Sequence, residues 1–232
     1  MNLVVPAVLP ISSKDFEEKL SLLTRIASVS RVQIDVVDGT FAAPASWPYT
    51  APAELQRRVK RNAMLPALDR IEYEIDLMCF DAEHAAAPWL ALGATRLTFH
   101  AKSAVDVPRL LASARKRYGS FVSYGLALDI TDNIALVEPF IGELSYVQFM
   151  GIAHIGRQGE PFDERVYEKV RTFHLWHPEV AIQVDGGISF KSAKKLVALD
   201  VTNLVIGSAI LRAKDPAAAL EAFETFTTPY GV

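Results

Sequence analysis

Several short β-branched segments carry pairs of polar residues that are separated by one apolar residue. Because alternate strand residues share a face, each pair would lie on one side of a strand. Buried carboxylates cost free energy unless they are paired or bound to something, so such residues favour one converging site over unrelated structural carboxylates. The pairs are Gln33 with Asp35, Glu74 with Asp76, Thr98 with His100, and Gln183 with Asp185.

A second chemical signal is glycine at two consecutive strand ends. Gly186 and Gly187 follow one apolar segment, and Gly207 precedes Ser208 after the next. Glycine lets the backbone approach a ligand closely, and barrel enzymes commonly hold a substrate phosphate in these last two loops. These residues therefore predict a phosphate site. The segment Gly156–Glu160, which includes Gly159, could add donors to it.

The elements that must position these residues alternate along the chain. The pattern predicts strands at Leu3–Leu9, Val32–Val37, Ile71–Leu77, Arg96–His100, Ser123–Asp129, Ser145–Met150, Ala181–Asp185 and Leu204–Ile206. Helices are expected near 13–28, 51–61, 81–92, 106–118, 132–140, 163–176, 190–199 and 215–226. Eight strand–helix units predict one (β/α)8 TIM barrel over residues 1–232, with polar strand ends at the catalytic face.

Composition excludes several classes of protein. Of 232 residues half are hydrophobic, and the net charge is −3, so a nucleic-acid surface is not expected. No apolar run suits a membrane span, and the first residues lack a signal-peptide pattern, so we expect a cytoplasmic protein. The single cysteine, Cys79, is expected to pack in the core rather than to act as a nucleophile.

The sequence resembles the ribulose-phosphate 3-epimerases over nearly its full length. Motifs similar to those of the family occur in the family's order, and they are Val5–Leu9, Asp35–Phe41, Asp76–Met78, Phe99–His100, Gly156–Phe162, Val184–Ile188 and Gly207–Ala209. Asp76–Met78 resembles the family's H-L-M motif, and Gly156–Phe162 resembles a degenerate form of its G-F-G-G-Q-x-F motif.

This resemblance implies epimerisation at C3 of a pentulose 5-phosphate, without an organic cofactor. Asp35 and Asp185 match the catalytic aspartates that exchange protons on opposite faces of a cis-enediolate. We also expect Met78 and His100 at the substrate site. His100 takes the position of the family's strand-four histidine, and it could act there as an electrophile or as a buried hydrogen-bonded residue that shapes the pocket. The expected partner is a small phosphorylated sugar, and the resemblance also implies a homo-oligomer.

The main departures concern the metal. The family binds a divalent ion with two histidines and two aspartates, and here Gln33 and Asp76 occupy the histidine positions. A set of Gln33, Asp35, Asp76 and Asp185 would favour Mg²⁺ or Mn²⁺ over Zn²⁺. A metal-free site with a protonated carboxyl group is the other possibility.

Two alternative functions remain open from the sequence. A phosphosugar lyase or decarboxylase also uses an enediolate, but it needs a lysine beside the strand-end aspartate, and Glu74–Met78 contains none. A phosphosugar-binding protein that has lost catalysis would explain the missing histidines, although not the retained Asp35 and Asp185.

Overall fold

The computed structural model describes residues 2–104 and 106–226. Eight parallel strands pair in chain order, and the first pairs with the last, so the chain forms the predicted (β/α)8 barrel. The strands are β1 (Val4–Val8), β2 (Arg31–Val37), β3 (Glu72–Met78), β4 (Arg96–His100), β5 (Ser123–Leu128), β6 (Tyr146–Met150), β7 (Ala181–Asp185) and β8 (Asn203–Ile206).

Helices cover the outside of the barrel. They are α1 (Ser13–Thr24), α2 (Pro52–Lys60), α3 (Ala82–Ala91), α4 (Val107–Tyr118), α5 (Val166–Trp176), α6 (Phe190–Val197), α7 (Ser208–Leu211) and α8 (Pro216–Glu224). Ser189 caps α6 by accepting a hydrogen bond from the amide of Ser192, and Asp215 caps α8. In the part of the chain that the structure describes, no helix combines the length and apolar character that crossing a bilayer needs.

Two connections differ from the sequence-based expectation. The segment expected as a helix near 132–140 is a 3₁₀ helix at Ile134–Glu143. It contains Pro139, which lacks the N–H that an α-helical hydrogen bond requires. The short helix α7 was not predicted, because four residues are too few to show a helical period in the sequence.

The outward faces of the strands form the main hydrophobic core with the helices. Ile34 and Val36 of β2 belong to this core together with the rings of Phe16, Trp47 and Trp89, which pack against one another in tilted and edge-to-face arrangements. Most apolar strand residues therefore point toward helices. The alternate residues fill the barrel interior, where polar side chains lie beside a small apolar cluster of Val5, Ala7 and Val205.

Strand register places the polar residues in layers inside the barrel. Gln33 lies beside Glu74, and Asp35 lies beside Asp76 one layer higher. Tyr146 also enters the interior, because Gly125 on the neighbouring strand has no side chain. A Cβ at Gly125 would stand 2.3 Å from the Tyr146 ring.

Candidate active site

Three buried carboxylates meet at the C-terminal end of the barrel. They are the last polar residues of three strands: Asp35 in β2, Asp76 in β3 and Asp185 in β7. Each offers an oxygen, and these oxygens all lie within 4.8 Å of one another. Residues that are far apart in the sequence are therefore brought together as the strand alternation predicted.

Glutamine amides donate hydrogen bonds to these carboxylates from the next layer of side chains toward the N-terminal end of the barrel. The Gln33 Nε2 group donates to Asp35 Oδ1 at 2.9 Å and to Asp185 Oδ2 at 3.0 Å. Gln148 of β6 donates from Nε2 to Asp76 Oδ2 at 3.0 Å. Gln33 thus presents N–H donors, rather than its amide oxygen, to the carboxylates that surround it.

His100 supplies a buried positive charge beside this group. Its Nε2 lies 2.8 Å from Oδ1 of Asp76, and its Nδ1 lies 3.8 Å from Oδ1 of Asp129. Burial by itself would lower the pKa of His100, but the two carboxylates raise it to about 10. The imidazole is therefore protonated at neutral pH, and it neutralises part of the charge of Asp76.

Asp35 and Asp185 have raised proton affinities. Burial, and then repulsion from Asp185 and Asp76, raises the pKa of Asp35 well above its ordinary value. Burial, and then the charge of Asp76, raises the pKa of Asp185 to about 8. A pair of this kind can hold one proton between its two members near neutral pH, which provides an acid and a base together.

Asp35 and Asp185 open into one cavity with the glycine loops. Its lining includes the following residues from the predicted site: Asp35, Met78, Gly156, Gly159, Asp185, Gly186, Gly187, Gly207 and Ser208. The remaining predicted site residues, Gln33, Asp76 and His100, lie buried beside the carboxylates and outside this lining.

The loop after β7 requires glycine at position 187, because a side chain there would strain the backbone. Gly187 has a φ of +67°, and a Cβ there would stand 2.7 Å from backbone atoms of Phe162. The loop after β6, which contains Phe162, therefore packs directly on the loop after β7. Residues of both loops, Gly156–Gly159 and Gly186–Ile188, line the cavity.

Two polar side chains of the same cavity belong to the segment Gly156–Glu160, which the sequence indicated as a source of further donors, although it did not single them out. Gln158 reaches across the cavity, and its Nε2 lies 3.4 Å from the carbonyl oxygen of Ala7 and 2.7 Å from the place of a Cβ on Gly207. Arg157 lines the cavity and donates from Nε to the carbonyl oxygen of Ala43 at 2.9 Å. Among the described residues, no carboxylate lies within 4.0 Å of the Arg157 guanidinium.

Gln148 and Asp129 were also missed, and the sequence contained a signal for the first. In β6 the residues Tyr146, Gln148 and Met150 alternate with apolar ones, which is the period that identified Gln33 and Asp35. Asp129 lies just after β5, and only the fold places it next to His100.

The donor set fits a divalent cation. Asp35, Asp76 and Asp185 offer oxygen ligands, which suit Mg²⁺ or Mn²⁺. Inside the barrel these three carboxylates and Glu74 face only two cations among the described residues, protonated His100 and Arg96. With all four carboxylates ionised the excess would be two negative charges, which one divalent ion would balance, and without an ion the proton shared by Asp35 and Asp185 reduces it to one.

Comparison with known proteins agrees with this geometry. The chain is 26% identical to a ribulose-phosphate 3-epimerase of Mycobacterium leprae, over 95% of this chain and 92% of the relative. Its fold is similar to that of KGPDC from Streptococcus mutans, with a TM-score of 0.69, 17% identity and coverage of 97% and 96% of the two chains. It is also similar to 3-hexulose-6-phosphate synthase from Salmonella typhimurium, with a TM-score of 0.66, 17% identity and coverage of 97% and 98%.

The sequence pattern of the ribulose-phosphate 3 epimerase family matches residues 4–211, which include all eight strands and the three carboxylates. The chain therefore belongs to this family.

Proposed function

We propose that this protein epimerises a ketose phosphate at C3, interconverting ribulose 5-phosphate and xylulose 5-phosphate. The observation that carries the proposal is the placement of Asp35 and Asp185, which project from β2 and β7 into one cavity with the glycine loops. Family membership supports the same reaction class.

The two aspartates would exchange protons with opposite faces of the substrate. One carboxylate removes the proton from C3, the electron pair of the broken C–H bond forms a double bond between C2 and C3, and the π pair of the C2 carbonyl moves to its oxygen to give an enediolate. The other carboxyl group gives its proton to C3 from the opposite side as the C2 carbonyl re-forms, which inverts C3. The raised pKa values of both aspartates suit this exchange, because acids and bases work best when their pKa is near the operating pH.

Positive charge near the enediolate oxygens would lower the barrier further. A divalent cation held by Asp35, Asp76 and Asp185 would supply such charge when bound. Protonated His100 pairs with the carboxylate of Asp76 and places a positive charge beside the site. We favour Mg²⁺ or Mn²⁺ over Zn²⁺ at this oxygen-only set of ligands.

The glycine loops would bind the phosphate of the sugar. Backbone N–H groups of Gly186, Gly187, Gly207 and Ser208 are proposed as its donors, since these residues line the cavity that contains Asp35 and Asp185. Side chains add to this set: the Gln158 amide lies against Gly207, and the Arg157 guanidinium lines the same cavity.

The lining also argues against a lyase or decarboxylase that depends on lysine. Among the described residues, no lysine lines the cavity. The described lining therefore offers no ammonium group for such a mechanism.

Turnover of ribulose 5-phosphate tests the proposal. Chelator-treated protein should be assayed for xylulose 5-phosphate with Mn²⁺, Mg²⁺, Zn²⁺ or no metal, with Asp35→Asn as the matched inactive control. We expect turnover that is greatest with Mn²⁺ or Mg²⁺ and that inorganic phosphate inhibits competitively. Absence of turnover under every metal condition would contradict the proposed reaction.

A further inference from the structure

Gln183 lies at the centre of the polar network beneath the carboxylates. Its side chain is buried, and its Nε2 faces three oxygen atoms. These are Glu74 Oε1 at 2.6 Å, Gln148 Oε1 at 2.8 Å and Gln33 Oε1 at 3.3 Å. One amide NH₂ group therefore contacts both glutamines that hold the three aspartates.

The direction of the Gln183 amide is set by Glu74. Arg96 donates from Nε to Glu74 Oε2 at 3.1 Å, and Thr98 donates to Glu74 Oε1 at 3.0 Å. A carboxylate in an ion pair only accepts hydrogen bonds, so Gln183 must turn its NH₂ group, and not its oxygen, toward Glu74. The same NH₂ group then faces the neighbouring glutamines.

This direction passes on to Gln33 and Gln148. The amide oxygens of Gln148, at 2.8 Å, and of Gln33, at 3.3 Å, share the N–H that Glu74 leaves free. Each of these amides therefore turns its own NH₂ group the opposite way. Gln33 therefore donates to Asp35 and Asp185, and Gln148 donates to Asp76.

We propose that Gln183 is a positioning residue that fixes the amides of Gln33 and Gln148 as N–H donors toward the three aspartates. The effect of Gln183 on kcat rests on the proposed function, whereas its effect on the direction of the amides and on metal affinity does not. The proposal also has a consequence for metal binding. When the NH₂ groups of Gln33 and Gln148 face the aspartates, the amide oxygens face away from a bound cation, so the three carboxylates are the ligands that the protein offers.

Gln183→Leu is the first test. Leucine has a similar volume but no donor, so the amides of Gln33 and Gln148 are free to rotate. Partners that orient the groups of a site typically contribute about 10–100-fold to activity, and we expect a loss in kcat of that size with little change in KM. A Gln183→Leu protein with wild-type kcat would overturn the proposal.

The second test reverses the direction of the network without changing its charge. In Glu74→Gln with Gln183→Glu, residue 74 becomes the donor and residue 183 becomes the acceptor. Gln33 and Gln148 must then turn their NH₂ groups toward residue 183 and their oxygens toward the aspartates. Gln183→Glu alone is the control, since it places two carboxylates side by side and should lower the melting temperature.

The exchanged pair should melt at a higher temperature than Gln183→Glu alone, although it loses the ion pair between Arg96 and Glu74, and it should not recover kcat. It should also bind Mn²⁺ more tightly, by about 10-fold or more, because amide oxygens now face the cation. Electron paramagnetic resonance of free Mn²⁺ measures this affinity without any turnover, so it still decides the inference if ribulose 5-phosphate is not the substrate. An exchanged pair with the wild-type kcat and Mn²⁺ affinity would overturn it, and if that variant does not fold, Gln183→Leu decides.

Discussion

The Nε2 atom of His100 lies 2.8 Å from Oδ1 of Asp76, and both side chains are buried. The contact joins a protonated imidazole to a carboxylate at the position where the family has a metal-binding histidine. Asp76 brings a further carboxylate into the group of three, and protonated His100 offsets part of its negative charge.

The first prediction concerns the cation. Divalent ions that bind the folded chain stabilise it, by about 2.7 kcal/mol at a concentration 100 times the dissociation constant. We expect Mn²⁺ and Mg²⁺ to raise the melting temperature of chelator-treated protein, and Asp76→Asn to abolish most of the increase. Differential scanning calorimetry provides the measurement.

The matched control for this experiment is Asp132→Asn. Asp132 is also buried, but its carboxylate pairs with Lys102 and lies outside the three-carboxylate group. The metal-dependent increase should survive in this variant. Stoichiometric zinc in protein purified without chelator would contradict the preference for Mg²⁺ or Mn²⁺.

The second prediction concerns the loop after β7. Gly187→Ala places a side chain at a φ of +67° and a Cβ 2.7 Å from the backbone of Phe162. Such strain typically costs about 1–3 kcal/mol, so the melting temperature should fall. Displacement of the loop should also weaken binding of inorganic phosphate by roughly 10–100-fold in calorimetric titrations.

Gly142→Ala is the matched control for Gly187→Ala. A Cβ on Gly142 would meet no heavy atom within 4 Å, and this glycine does not have a positive φ. Its substitution should leave phosphate binding unchanged. Phosphate affinity that is equal in both variants would place the anion site elsewhere.

The third prediction concerns the thiol. Burial raises the pKa of Cys79 to about 12, so at pH 8 roughly one thiol in 10⁴ is ionised. The folded protein should therefore react very slowly with a disulfide reagent at pH 8, and faster as the pH rises toward that pKa. Protein unfolded in guanidinium should react at once, whereas rapid modification of folded protein would contradict a packing role for Cys79.

Sequence patterns were sufficient for the barrel and for most of the candidate site. The two-residue period in β2, β3, β4 and β7 identified Asp35, Asp76, His100 and Asp185, because alternation alone decides which side of a strand a residue takes. The structure brings the three carboxylates together at the predicted end of the barrel.

Contacts between distant side chains could not be predicted in the same way. The direction of the Gln33 amide depends on Gln183, which is 150 residues away in the sequence. Gln158 reaches the cavity only because the loop after β6 folds over Gly207. Such contacts depend on three-dimensional packing, and no local pattern of residues contains them.

The central claim is that Asp35 and Asp185 exchange protons with C3 from opposite faces, and deuterium incorporation tests it most directly. In D₂O the wild-type protein with Mn²⁺ should place deuterium at C3 of both ribulose 5-phosphate and xylulose 5-phosphate, as followed by proton NMR. Asp35→Asn and Asp185→Asn should each lose epimerisation by about 10²–10⁴-fold. Each variant should still exchange the C3 proton of one epimer with retention, and the two variants should label opposite epimers. Interconversion at a near-native rate in either variant, or no deuterium at C3 with the wild-type protein, would contradict the account.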